Sequence, residues 1–135
     1  MNLQVGVKAL LKNHEGKYLL LRRSTIKYPE VGAMRWDIVG GRINPGTSLF
    51  ENLKREVKEE TQLALEHEPR LIAAQDILRP DKHVVRLTFV GEIAGTPVLN
   101  EDHDEFGWFS LKEMRRLNGL DSFTAEIINR YSDRL

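Results

Sequence analysis

Three glutamates within five residues are the part of this 135-residue sequence best suited to chemistry. Glu56, Glu59 and Glu60 are spaced i, i+3 and i+4, so on a helix their side chains project from adjoining parts of one face. Like charges at this spacing destabilise a helix unless something neutralises them. Carboxylate oxygens are the ligands that hard divalent cations prefer. The spacing therefore predicts a cation site, with a solvated acidic face as the more common alternative for a charge run.

The residues around this face favour the cation site. Glu51 precedes Arg55 by four residues, the favourable order for a helical ion pair, and Arg55 lies beside the carboxylates, where it can orient one of them. Gly40 and Gly41 follow a short predicted strand. Glycine lets the backbone pass close to other groups without an intervening side chain. A strand, a glycine loop and an acidic helix together predict a place for a metal–phosphate complex.

A helix over residues 48–60 must position the three glutamates. Its apolar stripe, at spacings of three to four residues, consists of Leu49, Phe50, Leu53 and Val57. Ser48 followed three residues later by Glu51 predicts a capping box, which sets the start of the helix.

The rest of the chain alternates between predicted strands and helices. Period-two and short apolar patterns predict strands at residues 5–11, 18–23, 36–39, 71–78, 84–93 and 105–109. A turn at Gly16 joins the first two, and residues 24–35 form a loop. Ser110 and Glu113 predict a capped helix over 110–117, and a last helix covers 123–131. With no repeat and no linker, these elements predict one α/β domain over residues 1–135.

Composition excludes several classes of function. Twenty Lys and Arg balance 20 Asp and Glu, with a pI near 6.9, so the broad basic surface of a general nucleic-acid or anionic-membrane binder is absent. No apolar run approaches the ~18 residues of a membrane span, and no basic-then-apolar leader opens the chain. Without cysteine there is no disulfide, thiolate metal site or cysteine nucleophile. We expect a cytoplasmic protein with no membrane anchor and no stable nucleic-acid partner.

Residues 41–63 resemble the signature of the MutT-like Nudix hydrolase family. That signature runs Gly, five residues, Glu, seven residues, Arg-Glu, an aliphatic residue, any residue, Glu-Glu, any residue, Gly and an aliphatic residue. Gly41 opens it here, and residues 55–60 match at the correct distance. Further resembling features are the early strands ending in Arg22-Arg23, Trp36 before the glycines, and the late Trp108-Phe109 pair. The resemblance implies an α/β/α sandwich with a mixed β-sheet.

Two positions depart from the signature. Thr47 stands where the family has a Glu that supports the loop–helix junction; a threonine can still hydrogen-bond a backbone group, so we expect the structural role to survive. Gln62 replaces the Gly that follows the helix, which indicates either that the helix end needs no left-handed residue or that it carries strain. Neither change touches the expected metal ligands.

The resemblance implies hydrolysis of the pyrophosphate bond in a nucleoside diphosphate linked to another moiety, such as a nucleotide sugar or ADP-ribose. Mg²⁺, or Mn²⁺, held by Glu56, Glu59 and Glu60 would neutralise the diphosphate and activate water. Two alternatives remain: a nucleoside triphosphate pyrophosphohydrolase that sanitises the nucleotide pool, and a catalytically silent module that binds nucleotide. The presence of all three glutamates argues against a catalytically silent module. Homodimers are common in the family, although no interface is identifiable from the sequence.

The general base is open between several residues. Glu105 fits the acidic position that many Nudix enzymes use, and His103 fits the base of the GDP-mannose hydrolase branch. The Gly40-Gly41-Arg42 start also resembles that branch, which however departs from the Arg-Glu…Glu-Glu run that is intact here. A helix glutamate is the third possibility.

Arginines are the candidates for binding phosphate oxygens. They are Arg22, Arg23, Arg35 and Arg42. Successive strand residues point to opposite faces, so only one of Arg22 and Arg23 should face the site. Trp36 and Trp108 are candidates for base stacking, but aromatics at strand ends are more often part of the core.

Overall fold

A seven-stranded mixed sheet forms the centre of the computed structural model, which describes residues 1–135. Its strands are β1 (Asn2–Lys12), β2 (Tyr18–Arg23), β3 (Trp36–Asp37), β4 (Val39–Arg42), β5 (Arg70–Leu78), β6 (Lys82–Glu92) and β7 (His103–Phe109). The order is β3-β2-β1-β6-β5, with β4 also paired to β1 and β7 to β2. Only β1 and β6 are parallel. The predicted α/β class with a mixed sheet is confirmed.

Helices cover both faces of this sheet. They are α1 (Leu49–Thr61), α2 (Leu111–Arg116) and α3 (Ser122–Arg130), followed by a single 3₁₀ turn over Ser132–Arg134. None of them has the length and apolar character that crossing a membrane requires.

Two apolar cores lie on opposite faces of the sheet, and β1 contributes to both. Leu11 belongs to the core under α1, together with Leu53 and Val57. Its neighbour Leu10 belongs to the core under α2 and α3, together with Ile127. Alternate residues of a strand point to opposite faces, and here both faces are covered. This explains why Leu10 interrupts the apolar–polar alternation of the first strand.

The structure corrects the predicted strand over residues 36–39. Trp36 and Asp37 pair with β2, whereas residues from Val39 onward pair with β1. The chain changes partner at Ile38, so two short strands form instead of one. The glycines therefore lie inside β4, where Gly40 has a φ of 141° and a Cβ would collide with the carbonyl of Val7.

The predicted capping box at the start of α1 is only half formed. The Ser48 hydroxyl accepts the Glu51 N–H at 3.2 Å, but the Glu51 carboxylate pairs with Lys54 instead of returning to Ser48. Ser110 and Glu113 form both bonds at the start of α2, as predicted.

Candidate active site

Helix α1 brings Glu56 against the backbone of β4. The Glu56 side chain is 12% exposed, and a Cβ on Gly41 would lie 2.8 Å from its carboxylate. A side chain at position 41 would therefore displace the Glu56 carboxylate, and glycine leaves room for it. Burial raises the pKa of Glu56, and the neighbouring Arg55 opposes that shift.

Glu60 is the most deeply buried of the three glutamates. Its Oε1 accepts the Gly40 N–H at 2.8 Å, and its side chain is 10% exposed. Burial raises the pKa of Glu60 to about 7, because Lys8 and the Gly40 hydrogen bond only partly offset the desolvation of the carboxylate and Glu56 adds repulsion.

Glu59 is the most exposed of the three glutamates. Its side chain is 54% exposed, and Oε2 lies 3.3 Å from Arg55 Nη1, which also donates to Glu56 at 2.9 Å. No three His, Asp or Glu side chains are grouped so as to hold a metal ion. The donor set nevertheless fits a hard divalent cation, because three carboxylates share one face of α1 and two of them lie against the β4 backbone.

Sequence reasoning missed the charged network behind these glutamates. Lys8 Nζ lies 3.1 Å from Asp37 Oδ2, and Arg86 Nη2 lies 3.3 Å from Asp37 Oδ1. Burial alone would raise the pKa of Asp37, but Lys8, Arg86 and the Thr124 hydroxyl outweigh it and hold that pKa well below its usual range. The sequence contained a signal for this network. Leu10 and Leu11 are both apolar, which indicates that both faces of β1 are covered. Lys8, two residues before Leu10, therefore lies on a covered face.

The acidic residues around the start of β7 are neutralised by basic residues of β2 and of the loop that follows β2. Lys27 pairs with Glu101 and Asp102, while Arg22 and Arg35 both pair with Asp104. Glu105, one of the predicted bases, is 52% exposed and bound to Arg22 at 2.9 Å. Its carboxylate is therefore outside the group formed around Glu56 and Glu60.

His103 is the residue of this segment that the fold brings to α1. Its side chain is 8% exposed, and Nε2 lies 4.0 Å from Glu60 Oε2. Burial, assisted by Lys8 and Arg23, lowers the pKa of His103 to about 4, so the imidazole is neutral at pH 7. Its Nδ1 is buried without a hydrogen-bond partner.

A pocket with a cavity volume of about 270 Å³ opens beside Gly40 and Gly41. We call it the basic pocket, because its charged lining residues are Lys8, Arg23, Arg42, Lys82 and Arg86, with no acidic residue. Arg23 lines it whereas Arg22 does not. The pairing of β2 with β7 shifts register between Arg22 and Arg23.

Trp36 and Trp108 behave as core residues. Trp36 packs edge-on against Phe109 at a centroid distance of 5.6 Å, and Trp108 packs on the core under α1. Neither lines the basic pocket.

The two departures from the signature have different outcomes. The Thr47 side chain is exposed and makes no hydrogen bond, so the expectation that it supports the junction is wrong. Buried Asn52 does so instead, accepting the Asn44 N–H at 2.8 Å and donating to the carbonyls of Thr47 and Ser48. Gln62 adopts a left-handed conformation with φ of 60°, which is the strained alternative.

Comparison with known proteins agrees with this geometry. The NUDIX domain model matches residues 2–131. The NAD-capped RNA hydrolase NudC of Stutzerimonas stutzeri (strain A1501) is 31% identical over 121 residues, which are 88% of this chain and 41% of NudC. The chain thus spans about two fifths of the length of this curated relative.

Solved structures share the fold over nearly the whole chain. The MutT protein from Methanosarcina mazei Go1 superposes with a TM-score of 0.84 at 28% identity, covering 98% of this chain and 95% of that protein. A UDP-X diphosphatase superposes with a TM-score of 0.73 at 25% identity, covering 96% of this chain and 61% of that protein. The chain therefore belongs to the Nudix family of hydrolases, whose enzymes act on phosphoanhydride bonds.

Proposed function

We infer that this protein hydrolyses the pyrophosphate bond of a nucleoside diphosphate linked to another moiety. The observation that carries this inference is the packing of the Glu56 and Glu60 carboxylates against the Gly40–Gly41 backbone, directly beside a pocket whose charged groups are all basic. Acids that recruit a cation and bases that bind phosphate are the two requirements for holding a diphosphate.

Each charged group has a distinct part in this proposal. Arg42 and Arg23 bind phosphate oxygens from the pocket side, where they form no ion pair. Arg55 holds Glu56 and Glu59 in place through Nη1. The Gly40 N–H fixes one oxygen of Glu60 and leaves the other free.

Nudix enzymes generally use divalent cations, and we assign that role here to Mg²⁺, with Mn²⁺ as a substitute. Glu56, Glu59 and Glu60 would hold the cation, which supplies charge neutralisation of the diphosphate and activation of water. In the structure the Arg55 guanidinium neutralises Glu59. We expect this ion pair to break when the cation binds.

His103 is our choice for the general base over Glu105. Its Nε2 lies 4.0 Å from Glu60 Oε2, within the group around the proposed metal ligands, whereas Glu105 is bound to Arg22 outside that group. Comparing kcat of the His103→Ala and Glu105→Gln variants tests this choice. A larger loss of kcat in Glu105→Gln would reverse it.

Incubation of the purified protein with Mg²⁺ and a panel of nucleotides tests the proposed function. A nucleoside monophosphate together with a second phosphorylated product supports the proposal. A monophosphate together with inorganic pyrophosphate would replace it with nucleoside triphosphate pyrophosphohydrolase activity. An absence of turnover with both Mg²⁺ and Mn²⁺ would indicate a silent nucleotide-binding module.

A further inference from the structure

Three cations of the basic pocket have no acidic partner. Arg23, Arg42 and Lys82 line it without forming an ion pair, although Arg23 also lies over the Tyr28 ring. The other two, Lys8 and Arg86, are held from behind by Asp37 and, for Arg86, by Asp121 as well. Like charges converging on one small cavity repel each other unless an anion lies between them.

Arg86 adds a second, independent observation. The residue is 5% exposed, and its two terminal nitrogens are bound by Asp37, Asp121 and Thr124. Its guanidinium therefore brings a fixed positive charge to the wall of the pocket, while its Nε is buried and out of reach of a group in the pocket.

The size and place of the pocket indicate which part of a substrate it holds. Its volume of about 270 Å³ lies just below the ~300 Å³ that marks the small end of ligand sites, so it holds part of a substrate. Gly40 and Gly41 form one wall, and the same two residues contact Glu60 and Glu56. A group in the pocket is therefore adjacent to a diphosphate held at the glutamates.

We propose that the basic pocket is an anion subsite for a phosphate or carboxylate on the substrate moiety that is joined to the scissile diphosphate. This inference rests on the proposed function and narrows the substrate to nucleotides whose second moiety carries negative charge. An uncharged hexose in the pocket gives Lys82 no acidic partner, so neutral nucleotide sugars are disfavoured.

Calorimetric titration with inorganic pyrophosphate in metal-free buffer tests the subsite without any turnover. The buffer is freed of metal by ion-exchange resin, because a soluble chelator such as EDTA is itself a polyanion. We expect wild-type protein to bind pyrophosphate, with affinity falling as NaCl is raised. Lys82→Gln and Arg42→Gln should each weaken binding by about tenfold, the loss expected for one charge-assisted hydrogen bond.

Lys112→Gln is the matched control, because Lys112 is exposed on α2 and does not line the pocket. It should bind pyrophosphate as the wild type does. The proposal is overturned by an absence of binding by wild-type protein, or by equal binding by the wild type and both pocket variants. An equal loss in Lys112→Gln would also overturn it, since the effect would then be one of overall charge.

A pair of nucleotides that differ by one charge tests the substrate class. UDP-glucuronic acid and UDP-glucose differ by a single carboxylate on the sugar. We expect tighter binding of the acid by wild-type protein and loss of that advantage in Lys82→Gln. Equal affinity for the two, or an advantage that survives in Lys82→Gln, contradicts the proposal.

The outcomes separate the subsite from the enzyme activity. Pyrophosphate binding that depends on Lys82, without hydrolysis of any nucleotide, leaves the anion site standing and removes the proposed function. Hydrolysis without such binding removes the subsite alone.

Discussion

Asp37 is the residue on which the charges of the site depend. Its carboxylate is 17% exposed and lies between Lys8, 29 residues away along the chain, and Arg86, 49 residues away. Removing one partner of a buried ion pair leaves the other charge uncompensated. Lys8 in turn stabilises the charged forms of both Glu56 and Glu60, so Asp37 holds in place one of the cations near the proposed ligands.

We expect Asp37→Asn to lower the free energy of unfolding by about 3 kcal/mol at pH 7. Urea denaturation measures this loss. Asp76→Asn is the control, because Asp76 is 67% exposed in its pair with His83 and should cost less than about 1 kcal/mol. Equal effects of the two substitutions would show that the Asp37 network contributes little.

The stability difference between the wild type and the Asp37→Asn variant should depend on pH. The pKa of Asp37 is held below its unfolded value in the folded state, so its contribution to stability is present above about pH 4 and is lost as the pH falls below it. The difference in unfolding free energy between wild type and Asp37→Asn should therefore shrink progressively below about pH 4. A difference that stays constant down to pH 2 would contradict the assignment.

At the scale of elements, the junction between β4 and α1 determines where the glutamates lie. Asn52 joins the Asn44 N–H to the first turn of α1 and also accepts from Arg55 at 3.1 Å. One buried amide thus connects the loop, the helix start and the arginine beside the carboxylates. The family signature does not include this position, which is why sequence comparison with the signature passed over it.

Asn52→Ala should lower the free energy of unfolding by about 2–3 kcal/mol, since several buried hydrogen bonds lose a partner. Asn52→Asp should lose at least as much, because its carboxylate keeps the acceptor for the Asn44 N–H but cannot donate to the carbonyls of Thr47 and Ser48 and is repelled by them. Thermal and urea unfolding measure both. Lys54→Ala, an exposed change on the same helix, should lie within about 0.5 kcal/mol of wild type. If the unfolding free energy of Asn52→Ala also lies within about 0.5 kcal/mol of wild type, the junction is held by other contacts.

A single substitution at the C-terminal end of α1 should stabilise the protein. Gln62 is exposed and left-handed, a conformation that costs a non-glycine residue roughly 1–2 kcal/mol. We expect Gln62→Gly to raise the free energy of unfolding by about 1 kcal/mol. Gln62→Ala keeps the same strain and serves as the control. A glycine variant no more stable than the alanine variant would contradict strain at this position.

At the scale of the whole molecule, local patterns predicted most of the fold. Helix α1 was predicted within one residue because its apolar stripe and Ser48 cap are local signals. The start of β6 was predicted two residues late, because Lys82 and His83 continue the strand as polar residues. The division of β3 from β4 was missed because it depends on a change of strand partner, which no local pattern records.

The site residues likewise fall into those that a local sequence pattern predicts and those that only the fold brings together. Glu56, Glu60, Gly40 and Gly41 are close in sequence and match a signature, so they could be named in advance. Lys8, Asp37 and Arg86 lie on three different strands, and only the sheet brings them together. A formal net charge of zero concealed this arrangement, in which an acidic helix face adjoins a basic pocket.

The most direct test of the central claim is turnover by Glu60→Gln on whichever nucleotide the wild type hydrolyses in Mg²⁺. The glutamine amide can still accept the Gly40 N–H and removes a buried charge, so the variant should be as stable as wild type or more so. Its kcat should fall at least ~100-fold, while Glu51→Gln, on the same helix but paired with Lys54, should keep near-normal kcat. Near-normal turnover by a folded Glu60→Gln variant would contradict the account.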